Sequence, residues 1–153
     1  MSNYRRFFCD GLHFNNSTEA LAFIGTKMCA EGVVKDTYPA ALLEREVVFP
    51  TGIELEGHAV AIPHCDATHA KEPAICVIRP ISPVPFMQAD GDEYVNAELI
   101  IALIVSNPQE QMKLLKQLFS QLQQPSFIDG LLAASSEDAL AEYFNQQILA
   151  ATA

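Results

Sequence analysis

Residues 97–105 read AELIIALIV, and every position from Leu99 to Val105 is apolar. A strand with one wet face alternates apolar and polar residues, so an unbroken run implies cover on both faces. The run is about half of the ~20 residues that cross a bilayer, which makes it a buried central strand. Two more strand-like runs precede it, Ala59–Ile62 and Ala74–Arg79.

Helical patterns lie on either side of these strands. Asn16, with Glu19 three residues on, opens a helix whose Leu21, Ala22, Ile24, Gly25 and Met28 recur at helical spacing. It runs to about Glu31, where Gly32 ends it. A second helix is expected from about Thr37 to Glu46, with Pro39 in its first turn. Behind Pro108 a stripe of Met112, Leu115, Leu118, Phe119 and Leu122 predicts a third. A short helix around Ser126–Leu132 follows, and a last one opening at Ser135 with Asp138 three on. "VVFPTGIELEGH" (residues 47–58) reads as a loop or short hairpin, and "PISPVPFMQADGDE" (residues 80–93), with three prolines, as a long irregular connection. Helices and strands in this order predict the α/β class: one domain over residues 1–153, a central mixed β-sheet flanked by helices.

Composition supports a packed domain and narrows its partners. Of 153 residues, 50% are hydrophobic and 18% charged, which excludes global disorder. The net charge of −10 argues against binding nucleic acid, which needs clustered Lys and Arg. The opening MSNYRRFFCDGLHF lacks the apolar core of a secretion signal, and no segment predicts membrane insertion. Cys9, Cys29, Cys65 and Cys76 are irregularly spaced without a CxxC pair, as expected of free thiols in a reducing cytoplasm.

The chemistry-bearing residues concentrate in "AVAIPHCDATHA", residues 59–70, where His64, Cys65, Asp66 and His69 follow the end of a strand. A metal site would draw on His58, His64 and His69 with Cys65 and Asp66, and on the distant His13, but the spacing is not that of known zinc sites. A Cys/His nucleophile is disfavoured because adjacent residues on extended backbone point to opposite faces. Phosphate cradling by a glycine-rich loop is not signalled, since neither GxxxxGK[ST] nor GxGxxG occurs. A histidine at a strand end can itself carry a phosphoryl group, because neutral imidazole is nucleophilic near neutral pH. Pro63 restrains Ile62 to extended backbone and so fixes where His64 emerges. The residues alone leave these readings and a merely structural Pro-His pair side by side.

The stretch "REVVFPTGIELEGHAVAIPHCDATHAKEPAICVIRP" (residues 45–80) resembles the active-site region of the fructose/mannitol-type enzyme IIA domains of the bacterial sugar phosphotransferase system. The Phe-Pro-Thr-Gly turn, "AIPHC", "HAK" and "IALIVSNPQEQMKLLKQLF" are most similar to its galactitol-specific branch. The resemblance implies a phosphocarrier. His64 would take a phosphoryl group from phospho-HPr and pass it to a cysteine of a IIB component, which serves a membrane IIC component. Arg45 would face the phosphoryl oxygens with its guanidinium fork, and Thr51 would offer them a hydroxyl. Mannitol-type members place a second histidine where this chain has Gln111, which can donate a hydrogen bond but carries no charge. Asp66 and His69 would stand behind the site, and Phe49, Ile53 and Ile62 would form a docking rim. No cofactor and no metal is called for. The same fold would also suit a regulatory module whose phosphorylation controls a binding partner.

Overall fold

The computed structural model describes residues 5–152. In chain order the elements are β1 (Arg5–Leu12), α1 (Ser17–Ala30), α2 (Tyr38–Val48), β2 (Gly52–Leu55), β3 (His58–Ala61), a 3-10 turn at Ala67–His69, β4 (Ala74–Pro80), β5 (Val84–Met87), β6 (Tyr94–Ala97), β7 (Leu99–Ile104), α3 (Pro108–Leu122), α4 (Pro125–Ala133) and α5 (Glu137–Thr152). Five strands form one sheet in the order β1-β4-β7-β3-β2, with β7 in the middle. The sheet is mixed: β1 runs parallel to β4 and β3 to β7, whereas β4 and β7, and β2 and β3, are antiparallel.

The unbroken apolar run of β7 is resolved residue by residue. Leu99, Ile101 and Leu103 pack with Val60, Ile62, Ile75 and Val77 against the apolar sides of α3, α4 and α5. Ile100, Ala102 and Ile104 join Ala61, Ala74, Cys76 and Ile78 under α1 and α2. Each buried Leu or Ile contributes roughly 1.5–3 kcal/mol, so either face alone is a substantial core. The four cysteines are free thiols. Among the described residues no helix is long and apolar enough to cross a membrane.

The structure differs from the sequence reading at several elements. Residues 5–12 form an edge strand, β1, which had no counterpart in that reading. The proline-rich stretch after β4 is not irregular throughout: β5 and β6 pair as an antiparallel ribbon. Val84 and Phe86 are fully buried while Pro85 between them is not, and each strand of a two-stranded ribbon is an edge, where a proline is tolerated. The buried stripe of α3 is Leu114, Leu118 and Leu122, with Leu115 and Phe119 beside it, and Met112 is exposed. The last helix is capped by the Ser136 hydroxyl, which accepts from the Ala139 N–H, not by Ser135. At α1 the Asn16 side-chain Oδ1 accepts from the Glu19 N–H at 2.9 Å, and the Glu19 carboxylate accepts from the Asn15 N–H in return.

Candidate functional site

β3 ends where the chain turns through buried Pro63 to His64. The Pro63 carbonyl accepts from the Leu103 N–H at 3.0 Å, which carries the pairing with β7 to the base of His64. β3 and β7 are parallel, so His64 lies at the carboxyl end of both strands, where ligands of α/β sheets gather. α3 starts just beyond the same end of β7, its N-terminus capped by the Asn107 side chain, which accepts from Gln109 and Glu110 N–H groups.

His64 is half-buried, and its Nδ1 stands 2.8 Å from the Ile62 carbonyl oxygen. A carbonyl only accepts, so Nδ1 carries the hydrogen and Nε2 keeps its lone pair. Burial lowers the pKa of His64 below its ordinary value; the Ile62 hydrogen bond opposes that, and the Arg45 charge adds to the lowering. The neutral, nucleophilic form is therefore the resting one at pH 7.

Arg45 sits in the last turn of α2, exposed, its guanidinium 4.5 Å from the centre of the Phe49 ring. Its charge acts on both His64 and Cys65. A shallow depression of about 250 Å³ brings Arg45 and Phe49 together with Cys65, Asp66 and His69. Cys65 is buried and its thiol is pushed up to about 11, so it stays protonated. His69 shares a 2.8 Å hydrogen bond with the Thr37 hydroxyl, which ties the 3-10 turn to the start of α2. Gln111 lies half-buried in the first turn of α3, its N–H donated to the Asn107 carbonyl.

Two expectations are corrected here. Thr51 is buried and donates its hydroxyl hydrogen to Glu46 Oε1 at 2.7 Å, so that hydrogen is not offered to a phosphoryl group. Ile62 is 1% exposed and belongs to the core, while the exposed apolar surface beside Arg45 and Cys65 is Val48 and Phe49. His58 is at the far end of β3, between Glu98 and Asp129, and His13 bonds Asn15. Among the described residues no three His, Cys, Asp or Glu side chains converge to hold a metal ion.

The sequence reading passed over Glu46 as a separate element of the site. It is 8% exposed, and its carboxylate accepts both the Thr51 hydroxyl and, at 2.8 Å, the Thr51 N–H. A signal was present: Tyr38, Leu42 and Glu46 are spaced by four, so a charged residue continues the inward stripe of α2.

Residues 3–147 match the family described as phosphoenolpyruvate-dependent sugar phosphotransferase system, EIIA 2. The chain belongs to this family. As a IIA component it is a phosphotransferase of a sugar transport system. The galactitol-specific EIIA component of Escherichia coli (strain K12) is 52% identical over 143 residues, which cover 94% of this chain and 95% of that protein. Crystalline IIA mannitol from Escherichia coli has the same fold, with a TM-score of 0.71 at 24% identity over 91% of this IIA chain and 94% of that one. The complex of enzyme IIA and phosphorylated enzyme IIB for mannitol, also from Escherichia coli, superposes with a TM-score of 0.72 at 22% identity, over 95% and 97% of the two chains.

Proposed function

We propose that this IIA protein accepts a phosphoryl group from phospho-HPr on Nε2 of His64 and hands it to a cysteine of a IIB component, for uptake of galactitol through a membrane IIC component. The observation that carries the reading is the Nδ1–H of His64 held on the Ile62 carbonyl, which leaves Nε2 as the one free lone pair of the ring. The 52% identity to a galactitol-specific component over nearly the full length supports the sugar and favours transport over a regulatory role.

The chemistry asks little of the protein beyond alignment and charge. The Nε2 lone pair attacks phosphorus in line, the P–N bond to the donor's histidine breaks, and that imidazole leaves with its electron pair. In the second half a IIB thiolate attacks the same phosphorus and the P–Nε2 bond breaks, returning His64 to the neutral ring. Arg45 supplies a fixed positive fork for the equatorial oxygens, and Gln111 an uncharged amide donor from the first turn of α3. The N-terminus of α3 adds its dipole. Val48 and Phe49, 66% and 57% exposed, line the depression beside Arg45 and form an apolar rim that a docked partner would cover, drying the phosphohistidine. The net charge of −10 steers basic partners toward the protein, as in a reducing cytoplasm where HPr works.

The test is labelling. Phosphoenolpyruvate, enzyme I and HPr should place one acid-labile, base-stable phosphoryl group on the protein, and a galactitol IIB should discharge it faster than other IIB proteins. His64→Ala should abolish the label with the fold intact, while Gln111→Ala only slows it. Label retained in the His64→Ala variant overturns the reading.

A further inference from the structure

The inward stripe of α2 places Tyr38 and Leu42 in the core and then, one turn on, Glu46. A buried carboxylate is costly unless it is satisfied, and an apolar residue would fill the position at lower cost. Among the described residues no cation pairs with Glu46. Both of its oxygens are taken by a single residue, Thr51, through the N–H at 2.8 Å and the hydroxyl at 2.7 Å. The carboxylate's effect is to pin Thr51.

Thr51 in turn holds the strand end that presents His64. Its carbonyl accepts the Ile62 N–H at 3.2 Å, and the Ile62 carbonyl accepts the His64 Nδ1–H at 2.8 Å. A run of hydrogen bonds thus links α2 to the imidazole: Glu46, Thr51, Ile62, His64. The next residue, Gly52, lies so close to the β5–β6 ribbon that a methyl there would come within 2.6 Å of the Met87 carbonyl oxygen. The Ala89 N–H also donates to the Gly52 carbonyl at 2.8 Å, so the residue after Thr51 is tethered to the ribbon as well. One residue before Glu46 on the same helix is Arg45.

We infer that Glu46 is a positioning residue for phosphoryl transfer: through Thr51 it locks the helix that carries Arg45 to the strand end that carries His64. This rests on the reading of His64 as the phosphoryl acceptor. Removing the lock lets the Ile62 carbonyl drift from Nδ1, so the ring samples its other tautomer and other orientations. A displacement of about 1 Å at a reacting atom costs up to about a hundredfold in rate.

The experiment is single-turnover transfer from phospho-HPr to wild type, Glu46→Ala, Glu46→Gln and Thr51→Val, with the His64 tautomer read by 15N NMR. Glu46→Ala should slow the transfer step about tenfold to a hundredfold with unchanged half-saturation by phospho-HPr, and should lose the pure Nδ1–H tautomer. Glu46→Gln should restore both, because its amide oxygen accepts the Thr51 N–H and its NH₂ donates to the rotated hydroxyl. Thr51→Val keeps the backbone bond alone and should fall between, and it decides the matter if Glu46→Ala does not fold. Wild-type rate and tautomer in Thr51→Val and Glu46→Ala would overturn the inference, as would a loss confined to half-saturation. Failure of the wild type to label on His64 would instead overturn the reading beneath it.

Discussion

His64 Nδ1 and the Ile62 carbonyl oxygen stand 2.8 Å apart, and the pair spans the proline that ends β3. The ring cannot use that nitrogen without first giving up the bond. The phosphoryl group is therefore expected on Nε2. Phosphorus–nitrogen couplings in 15N-labelled phosphoprotein distinguish the two isomers, and an Nδ1-phosphate would contradict the geometry.

Arg45 acts on His64 through its charge, which helps hold the imidazole below its ordinary pKa. Arg45→Gln should raise the midpoint of the His64 NMR titration and slow transfer about 10²–10³-fold, the usual cost of losing a preorganised donor to a charged centre. Arg45→Lys should return the midpoint but only part of the rate, since an ammonium lacks the two-pronged geometry. An unmoved midpoint in the glutamine variant would show that the guanidinium does not face the ring.

The pH profile follows from the direction of the His64 shift. Burial and the Arg45 charge outweigh the Ile62 hydrogen bond, so the folded pKa lies below the ordinary 6.5. The neutral ring predominates above that lowered value, and transfer should hold as pH falls through 6.5, failing only further down. Single-turnover rates measured against pH check this. A half-loss above 6.5 would mean the ring is more exposed than its packing indicates.

His58 titrates the other way. Burial disfavours its cation, but hydrogen bonds to Glu98 at 2.9 Å and Asp129 at 2.8 Å, with their charges, raise its pKa overall above 6.5. A group raised in the folded state stabilises fully below its unfolded pKa, and that contribution is lost as pH rises through the folded value. His58→Gln should therefore cost most near about pH 5.5 and little near about pH 9. Asp129 is 67% exposed, so solvent screening keeps the loss to about 1 kcal/mol. In thermal melts that is about 2–4 °C for a chain of this length, and a gap that widened with pH would have the wrong sign.

The sequence made the central layer legible because its signal is local. Seven consecutive apolar residues in 99–105 can be buried only between two layers, and both layers are there. His64 was legible for a similar reason, since Pro63 and the strand before it fix its place from neighbours in the chain. β1 was not, because only Cys9 of its eight residues is buried and its partner β4 lies some 70 residues away. The β5–β6 ribbon was hidden by prolines whose tolerated side depends on the fold. Thr51 was misread because the group that takes its hydroxyl hydrogen, Glu46, is on the preceding helix, and only the turn between them brings the two together.

Arg79 offers the test farthest from the candidate site. Its Nε and Nη2 hold the two oxygens of Asp10 at 2.8 and 2.7 Å, joining β4 to the edge strand β1. Its Nη1 donates to the carbonyls of Leu131 at 2.9 Å and Ala134 at 2.7 Å at the end of α4, where the Leu131 carbonyl also accepts the Ala134 N–H. One planar cation thus serves a carboxylate and a helix C-terminus at once, at a position where its side chain is 13% exposed. A lysine ammonium has a comparable charge but a single nitrogen, and it cannot reach both groups. Arg79→Lys should therefore lower stability by about 1–3 kcal/mol, the cost of hydrogen bonds to charge left unmade. The unfolding midpoint should drop by several degrees with little dependence on salt, while transfer from phospho-HPr at about 25 °C stays at the wild-type rate, because no part of this network reaches His64. Wild-type stability in the lysine variant would show that the fork contributes nothing beyond its charge.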